Sequence, residues 1–229
     1  MRILCAALWV VAGTLAVGEE SAAAGDAGDA DVSLRDRFDV RCANWIYAGS
    51  KSSVCFSEKF LATLSEETNI RAARKLKPVK LSSPNVFEYP FAIMTGEGTF
   101  TLHEQERVNL KAYLSRGGFL LASAGCSSKA WARSFQAEMK KIFPKKEMKK
   151  IAMDHALFRT VYAVEAIKLK RGGTTLLEGL EMNGRIVLIY TSEGLNDTAN
   201  VKGCCCCGGN EIKNSREINV NTFAYAVMH

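Results

Sequence analysis

Residues 89–143 alternate between two patterns that together fit one kind of architecture. Phe91-Ala-Ile-Met-Thr is a short apolar run bounded by Pro90 and Gly96, as in a strand buried on both faces. In the charged stretch that follows, Leu110 with Leu114 and Val108 with Ala112 recur at helical spacing. Thr101-Leu-His-Glu104 has the form of a capping box, which starts that helix at Leu102, and Gly117-Gly118 stops it. Phe119 to Ala124 is a second apolar run. Ser127 or Ser128 can cap a further helix with the stripe Trp131, Phe135, Met139 and Ile142, ended by Pro144. Strand, helix, strand, helix through short glycine turns implies parallel pairing with right-handed crossovers, hence an α/β fold with a mostly parallel sheet.

The rest of the chain is less regular. Phe38-Asp-Val-Arg-Cys-Ala43 alternates enough for a first strand, with Trp45 and Tyr47 in the loop after it. Ser57 can cap a helix running to about Thr68 whose buried side is Phe60, Leu61 and Leu64. Val79 and Leu81 suggest a short edge strand. Asn183-Gly184, between 176–182 and 185–190, is a strong hairpin signal because both residues tolerate the positive φ of a type I′ turn. A polar loop over 191–215 and a helix over 217–228 complete the chain. With no internal repeat and no second linker, one domain over 37–229 is the economical count.

The amino terminus differs in kind. Arg2 precedes an apolar run over residues 3–17, and Ala16-Val17-Gly18 offers a small-residue cleavage site, the layout of a secretory signal peptide over 1–18. The run is shorter than the roughly 20 residues of a membrane-spanning helix. Residues 19–36, rich in Ala, Gly, Asp and Ser, read as a flexible linker. Export to the periplasm or cell envelope follows, with membrane anchoring only if the segment is uncleaved. Removing Arg2 leaves 29 basic against 24 acidic residues, a net charge of +5. The bunching of Lys140, Lys141, Lys145, Lys146, Lys149 and Lys150 reads as a solvated helix end, with weak contact to an anionic surface as the alternative. No pattern of aromatic interleaving suggests nucleic acid, and export argues against it.

Ligands of open parallel sheets bind beyond the carboxyl ends of the strands. Two such ends are visible, Thr95-Gly96-Glu97-Gly98 and Ala124-Gly125-Cys126-Ser127, and adjacent strands would set them side by side. Gly96, Gly98, Gly125 and Ser127 are the expected ligand-binding positions, since glycine lets backbone N–H groups approach closely. A helix starting after Cys126 would favour its thiolate. His155, in Met153-Asp-His-Ala156, is the best available base, with Glu97 as the other; His103 lies in a helix's first turn and His229 ends the chain. A buried, inert cysteine is the plain alternative.

Eight cysteines become seven once the signal is removed; an oxidising compartment favours pairing, and the odd count leaves at least one thiol free, reactive or paired between chains, with Cys126 the obvious candidate for the free one. Cys204, Cys205, Cys206 and Cys207 are consecutive, so each is expected to reach Cys42, Cys55, Cys126 or a second molecule in a disulfide. Metal binding at the cluster is the rival, although the spacing matches no standard zinc pattern. The sequence calls for no other cofactor.

Phe91-Ala-Ile-Met-Thr-Gly-Glu-Gly98, Leu114-Ser-Arg-Gly-Gly-Phe-Leu-Leu-Ala122 and Met153-Asp-His-Ala-Leu-Phe158 resemble an uncharacterised bacterial domain-of-unknown-function family, number 4159. The Cys-Cys-Cys-Cys-Gly-Gly-Asn-Glu-Ile segment ending at Ile212 resembles a planctomycete-like exported subgroup of it. The resemblance implies a class I glutamine-amidotransferase-like fold, a flavodoxin-like three-layer sandwich. It places Cys126 at the strand–helix elbow where true amidotransferases carry their nucleophile. Their late His-x-Glu pair is missing, since His229 stands alone. The expected function is therefore a binding or assembly module for an unknown protein or small molecule. A thiol hydrolase using Cys126, and a redox or metal-handling role for Cys204 to Cys207, are the alternatives.

Overall fold

The computed structural model describes residues 39–52, 55–197 and 212–229; the stretches expected to be a signal peptide and a linker, and Cys204 to Cys207, lie outside the described residues. A seven-stranded sheet runs through the molecule in the order β2-β1-β3-β4-β9-β8-β5. Its strands are β1 Val40–Ile46, β2 Ala72–Lys80, β3 Phe91–Gly96, β4 Phe119–Ala124, β5 Lys149–Lys150, β8 Glu178–Met182 and β9 Arg185–Thr191. The first five in spatial order are parallel, and β8 and β5 are appended antiparallel. A separate ribbon pairs β6 Ile167–Lys168 with β7 Thr174–Thr175. Among the described residues the helices are α1 Lys59–Glu67, α2 Glu104–Ser115, α3 Lys129–Ile142 and α4 Ser215–Met228.

The architecture is a flavodoxin-like three-layer sandwich. From β1 the chain steps outward to β2, then crosses to β3 and proceeds the other way through β4 to β9. This order reverses direction between β1 and β3, the switch point where ligands of such folds gather. Two cores flank the sheet. On one side Met94, Ala122 and Tyr190 pack with Leu110 and Leu114 of α2 and Trp131 and Phe135 of α3. On the other, Ile93, Leu121 and Ile189 pack with Phe60 and Leu64 of α1 and Ile218 and Phe223 of α4. β3 and β4 are buried along their whole length, as two covered faces require.

Several expectations shift. Trp45 and Tyr47 are not loop residues: Trp45 is a fully buried member of β1, and Tyr47 closes a tight turn by exchanging backbone bonds with Lys51. The edge strand is far longer than Val79 and Leu81 suggest. Its Arg74, Lys75 and Lys77 face solvent, so no apolar run advertises it, and Pro78 is tolerated because the strand has one neighbour. Helix α2 begins at Glu104, with His103 rather than Thr101 as its cap and Glu106 reaching back to the His103 N–H at 2.8 Å. Asn183 and Gly184 both take positive φ, 53° and 76°, as the hairpin reading requires.

Gly118 marks the tightest packing at the strand starts. A Cβ there would lie 2.5 Å from the Tyr113 ring, whose hydroxyl donates to the Tyr89 and Phe119 carbonyls at 2.8 and 3.1 Å. Gly118→Ala is expected to cost about 1–3 kcal/mol, the range for overpacking a filled core. Urea unfolding would measure it as a lowered midpoint at unchanged slope.

Candidate functional site

Three hydroxyl residues stand in register at the carboxyl ends of the central strands. Thr95 of β3 neighbours Ser123 of β4, which neighbours Thr191 of β9, and all three are buried. Alternation puts them on the face of Ile93, Leu121 and Ile189. Asn196, from the loop after β9, covers the row: its Oδ1 accepts from Thr95 Oγ1 at 3.2 Å and Ser123 Oγ at 3.4 Å. The Asn196 carbonyl accepts from the Ser57 N–H at 2.8 Å, and Thr191 Oγ1 accepts from the Glu193 N–H at 3.1 Å. This polar layer fixes the backbone on which the two glycine turns stand.

The turns after β3 and β4 lie side by side. A Cβ on Gly125 would stand 3.0 Å from the Gly96 carbonyl oxygen, and one on Gly96 would overlap the Tyr47 hydroxyl at 2.3 Å, so both positions need glycine. That hydroxyl is buried, donating to the Thr95 carbonyl at 3.1 Å and accepting from Trp131 Nε1 at 2.5 Å. Burial pushes its pKa up to about 12, against the smaller lowering effect of the Trp131 bond. Ser128 ties the second turn to the first, accepting from the N–H groups of Gly98 at 3.1 Å and Trp131 at 3.3 Å.

Cys126 lies in the second of these turns, a single 3₁₀ turn, two residues before the Ser128 cap of α3. It and Ser127 both have a φ of 51°, a left-handed conformation costing a non-glycine residue about 1–3 kcal/mol. Its sulfur is 3.1 Å from Glu97 Oε1. Cys126 is disulfide-bonded, as is Cys55, so the sulfur has no proton to donate and the contact becomes a hydrogen bond only on reduction. Ser127 Oγ donates to Glu193 Oε2 at 2.7 Å, and Arg171, from the turn between β6 and β7, clamps Glu193 with bonds of 3.0 and 2.5 Å. The Arg171 guanidinium holds the Glu193 carboxyl below its ordinary range, outweighing burial, with Ser127 assisting.

The structure brings Glu97, Gly96, Gly98, Gly125, Cys126 and Ser127 together and leaves His155 out. The His155 ring lies 5.5 Å from Tyr225, which is 6.2 Å from Phe119, the first residue of β4. Cys126 stands two residues beyond the far end of that strand, which is itself about 16 Å away at the usual rise per residue. The expected Cys126–His155 pairing is therefore not formed. His103 is at the favoured end instead: a Cβ on Gly49 would stand 3.9 Å from its Nε2. Cys42, and not Cys126 as the sequence suggests, is a free thiol: it is buried in the core, its pKa pushed well up by burial, and serves neither as a disulfide partner nor as an accessible ligand. No group of three or more His, Cys, Asp or Glu suited to a metal ion occurs among the described residues.

Asn196, Glu193 and Arg171 escape a sequence reading because they come from loops without pattern. The signal for the hydroxyl row was present, a single Thr or Ser near the end of each apolar strand. Asn196→Ala removes the shared acceptor of two buried hydroxyls and is expected to cost about 2 kcal/mol by urea unfolding. Glu193→Gln is expected to cost about 1 kcal/mol at neutral pH, discounted because Arg171 is half exposed. Since the Glu193 pKa is depressed on folding, that difference should persist above the ordinary carboxylate range and shrink as pH falls through its folded pKa. Paired unfolding curves at pH 7 and pH 3 would check both the size and the sign.

No curated protein matches the chain. A family model described as "Domain of unknown function (DUF4159)" matches residues 50–227, most of the chain, and the chain belongs to that family.

Proposed function

We propose that the chain is an exported binding module with an amidotransferase-like fold, whose ligand site is the crevice bounded by the β1–β3 switch point and the turn after β4. The observation that carries this reading is the disulfide at Cys126. A half-cystine lacks the thiolate that nucleophilic catalysis needs, and the one histidine expected to serve it is at the other end of the sheet. What remains at the crevice suits recognition: the exposed Glu97 carboxylate, the Gly98 backbone at φ 69°, and a Ser127 hydroxyl held by Glu193. Disulfides at Cys55 and Cys126 also suit an oxidising compartment, in keeping with export. No helix among the described residues is long and apolar enough to cross a membrane.

One observation favours a second reading. Reduction would leave the Cys126 thiol on a strained elbow 3.1 Å from a carboxylate able to accept its proton, the arrangement of a thiol hydrolase or amidase. The redox or metal-handling alternative concerns Cys204 to Cys207, outside the described residues.

Assaying hydrolysis of activated esters and amides before and after gentle reduction separates the two. The binding module predicts no Cys126-dependent turnover in either state, and thermal stabilisation by polar ligands that is lost in Glu97→Ala. Turnover that appears on reduction and vanishes in Cys126→Ser would establish the hydrolase instead.

A further inference from the structure

We propose a second binding site, along the antiparallel edge of the sheet, for a soluble ligand carrying clustered oxyanions, such as an oligophosphate. A cleft of about 620 Å³ is lined by Lys145, Lys146, Lys149, Lys150 and His155, together with the β8–β9 hairpin. The acidic side chains on its wall are Glu147 and Glu181, so the cations prevail.

These lysines are not consumed by the fold. Among the described residues none of the four closes an ion pair, whereas Lys141, on the nearby last turn of α3, bonds Glu138 at 2.7 Å. Lys146 Nζ reaches only the Glu181 carbonyl, at 3.5 Å, and Lys150 faces Glu178 across the β5–β8 pairing without an ion pair. Four exposed, like-charged groups around one concavity repel one another, and an oligoanion would relieve that repulsion. His155 completes the set. Its Nδ1 accepts from the Leu157 N–H at 3.1 Å, so its ring proton resides on Nε2 and the ring is a donor. The residue that the sequence offers as a catalytic base thus has a different use here.

The cleft favours a compact anion over a bilayer. Stable surface binding to a membrane needs an exposed apolar anchor beside the cations. The exposed large apolar side chains Phe87, Val108, Leu176, Val227 and Met228 include none that lines the cleft.

Titration calorimetry of the full chain with inorganic tripolyphosphate at physiological ionic strength tests the site. Saturable 1:1 binding is expected. Lys149→Glu with Lys150→Glu should weaken it by about tenfold or more, as reversal of close charge contacts does. Lys75→Glu with Lys77→Glu makes the same charge change on the exposed edge strand β2 and should weaken it by less than about threefold, through the long-range field alone. His155→Asn keeps a side-chain acceptor for Leu157, loses the Nε2 donor, and should weaken binding by about threefold to tenfold. Circular dichroism would confirm that each variant is folded. Absence of saturable heat, or equal losses in the two double variants, would overturn the site. So would sedimentation of the chain with phosphatidylglycerol vesicles that tripolyphosphate fails to compete, which would assign the lysines to a membrane surface.

Discussion

The candidate site depends on one buried amide. Asn196 satisfies the Thr95 and Ser123 hydroxyls with its side chain and the Ser57 N–H with its carbonyl, so it joins two central strands to the approach of α1. A polar row inside an otherwise apolar sheet is tolerable only when every member is bonded, because an orphaned buried hydroxyl costs about as much as a lost hydrogen bond. The loop after β9 is therefore held down where it crosses the strand ends, and Glu193, three residues earlier, is carried to Ser127. Fold and site share this one polar layer: Thr95 leads directly into Gly96 and Glu97, and Ser123 into the Cys126 turn.

Cys126 shows how such support is used. Two successive left-handed residues are costly, and they persist where the surroundings over-determine them. Here the determinants are the absence of a Cβ at Gly96 and Gly125, the Ser128 bond to Gly98, and the Ser127–Glu193–Arg171 chain. A side chain so placed points to function, but the disulfide redirects the inference. A bonded sulfur is a fastening, and the polar groups exposed around it are then surfaces for recognition rather than partners in proton transfer.

The strands and helices of 89–143 were legible because burial on both faces writes itself into composition. Phe91 to Thr95 and Phe119 to Ala124 have no polar face to disguise them, and the α3 stripe has helical spacing against a single core. The same logic explains the failures. Strand β2 is an edge with a solvated, lysine-rich surface, so its sequence resembles a loop, and Trp45 is separated from the apolar runs by the polar Asn44. At the site, the adjacency of the two glycine turns followed from the crossover rule, which requires only that consecutive parallel strands be neighbours. The position of His155 did not follow. Helix α3 ends at the strand starts, β5 then runs along the sheet edge in the direction of β9, and a 3₁₀ turn follows His155; no local pattern encodes that path.

That path gives the molecule two chemically different surfaces. At the carboxyl ends, carboxylates are paired within the chain, Glu193 with Arg171 and Asp197 with Arg216, while the exposed Glu97 lies beside sulfur and closes no ion pair among the described residues. Along the antiparallel edge, four lysines and a histidine ring share one cleft with two carboxylates. Parallel strands impose the first site, since their carboxyl ends and the following turns converge whatever the side chains. The second has no such topological cause: it exists because β5 and β8 are antiparallel additions that bring the lysine-rich return segment against the hairpin. A feature built from an appendage to the sheet, and left electrostatically uncompensated, is one the sandwich itself does not require for folding.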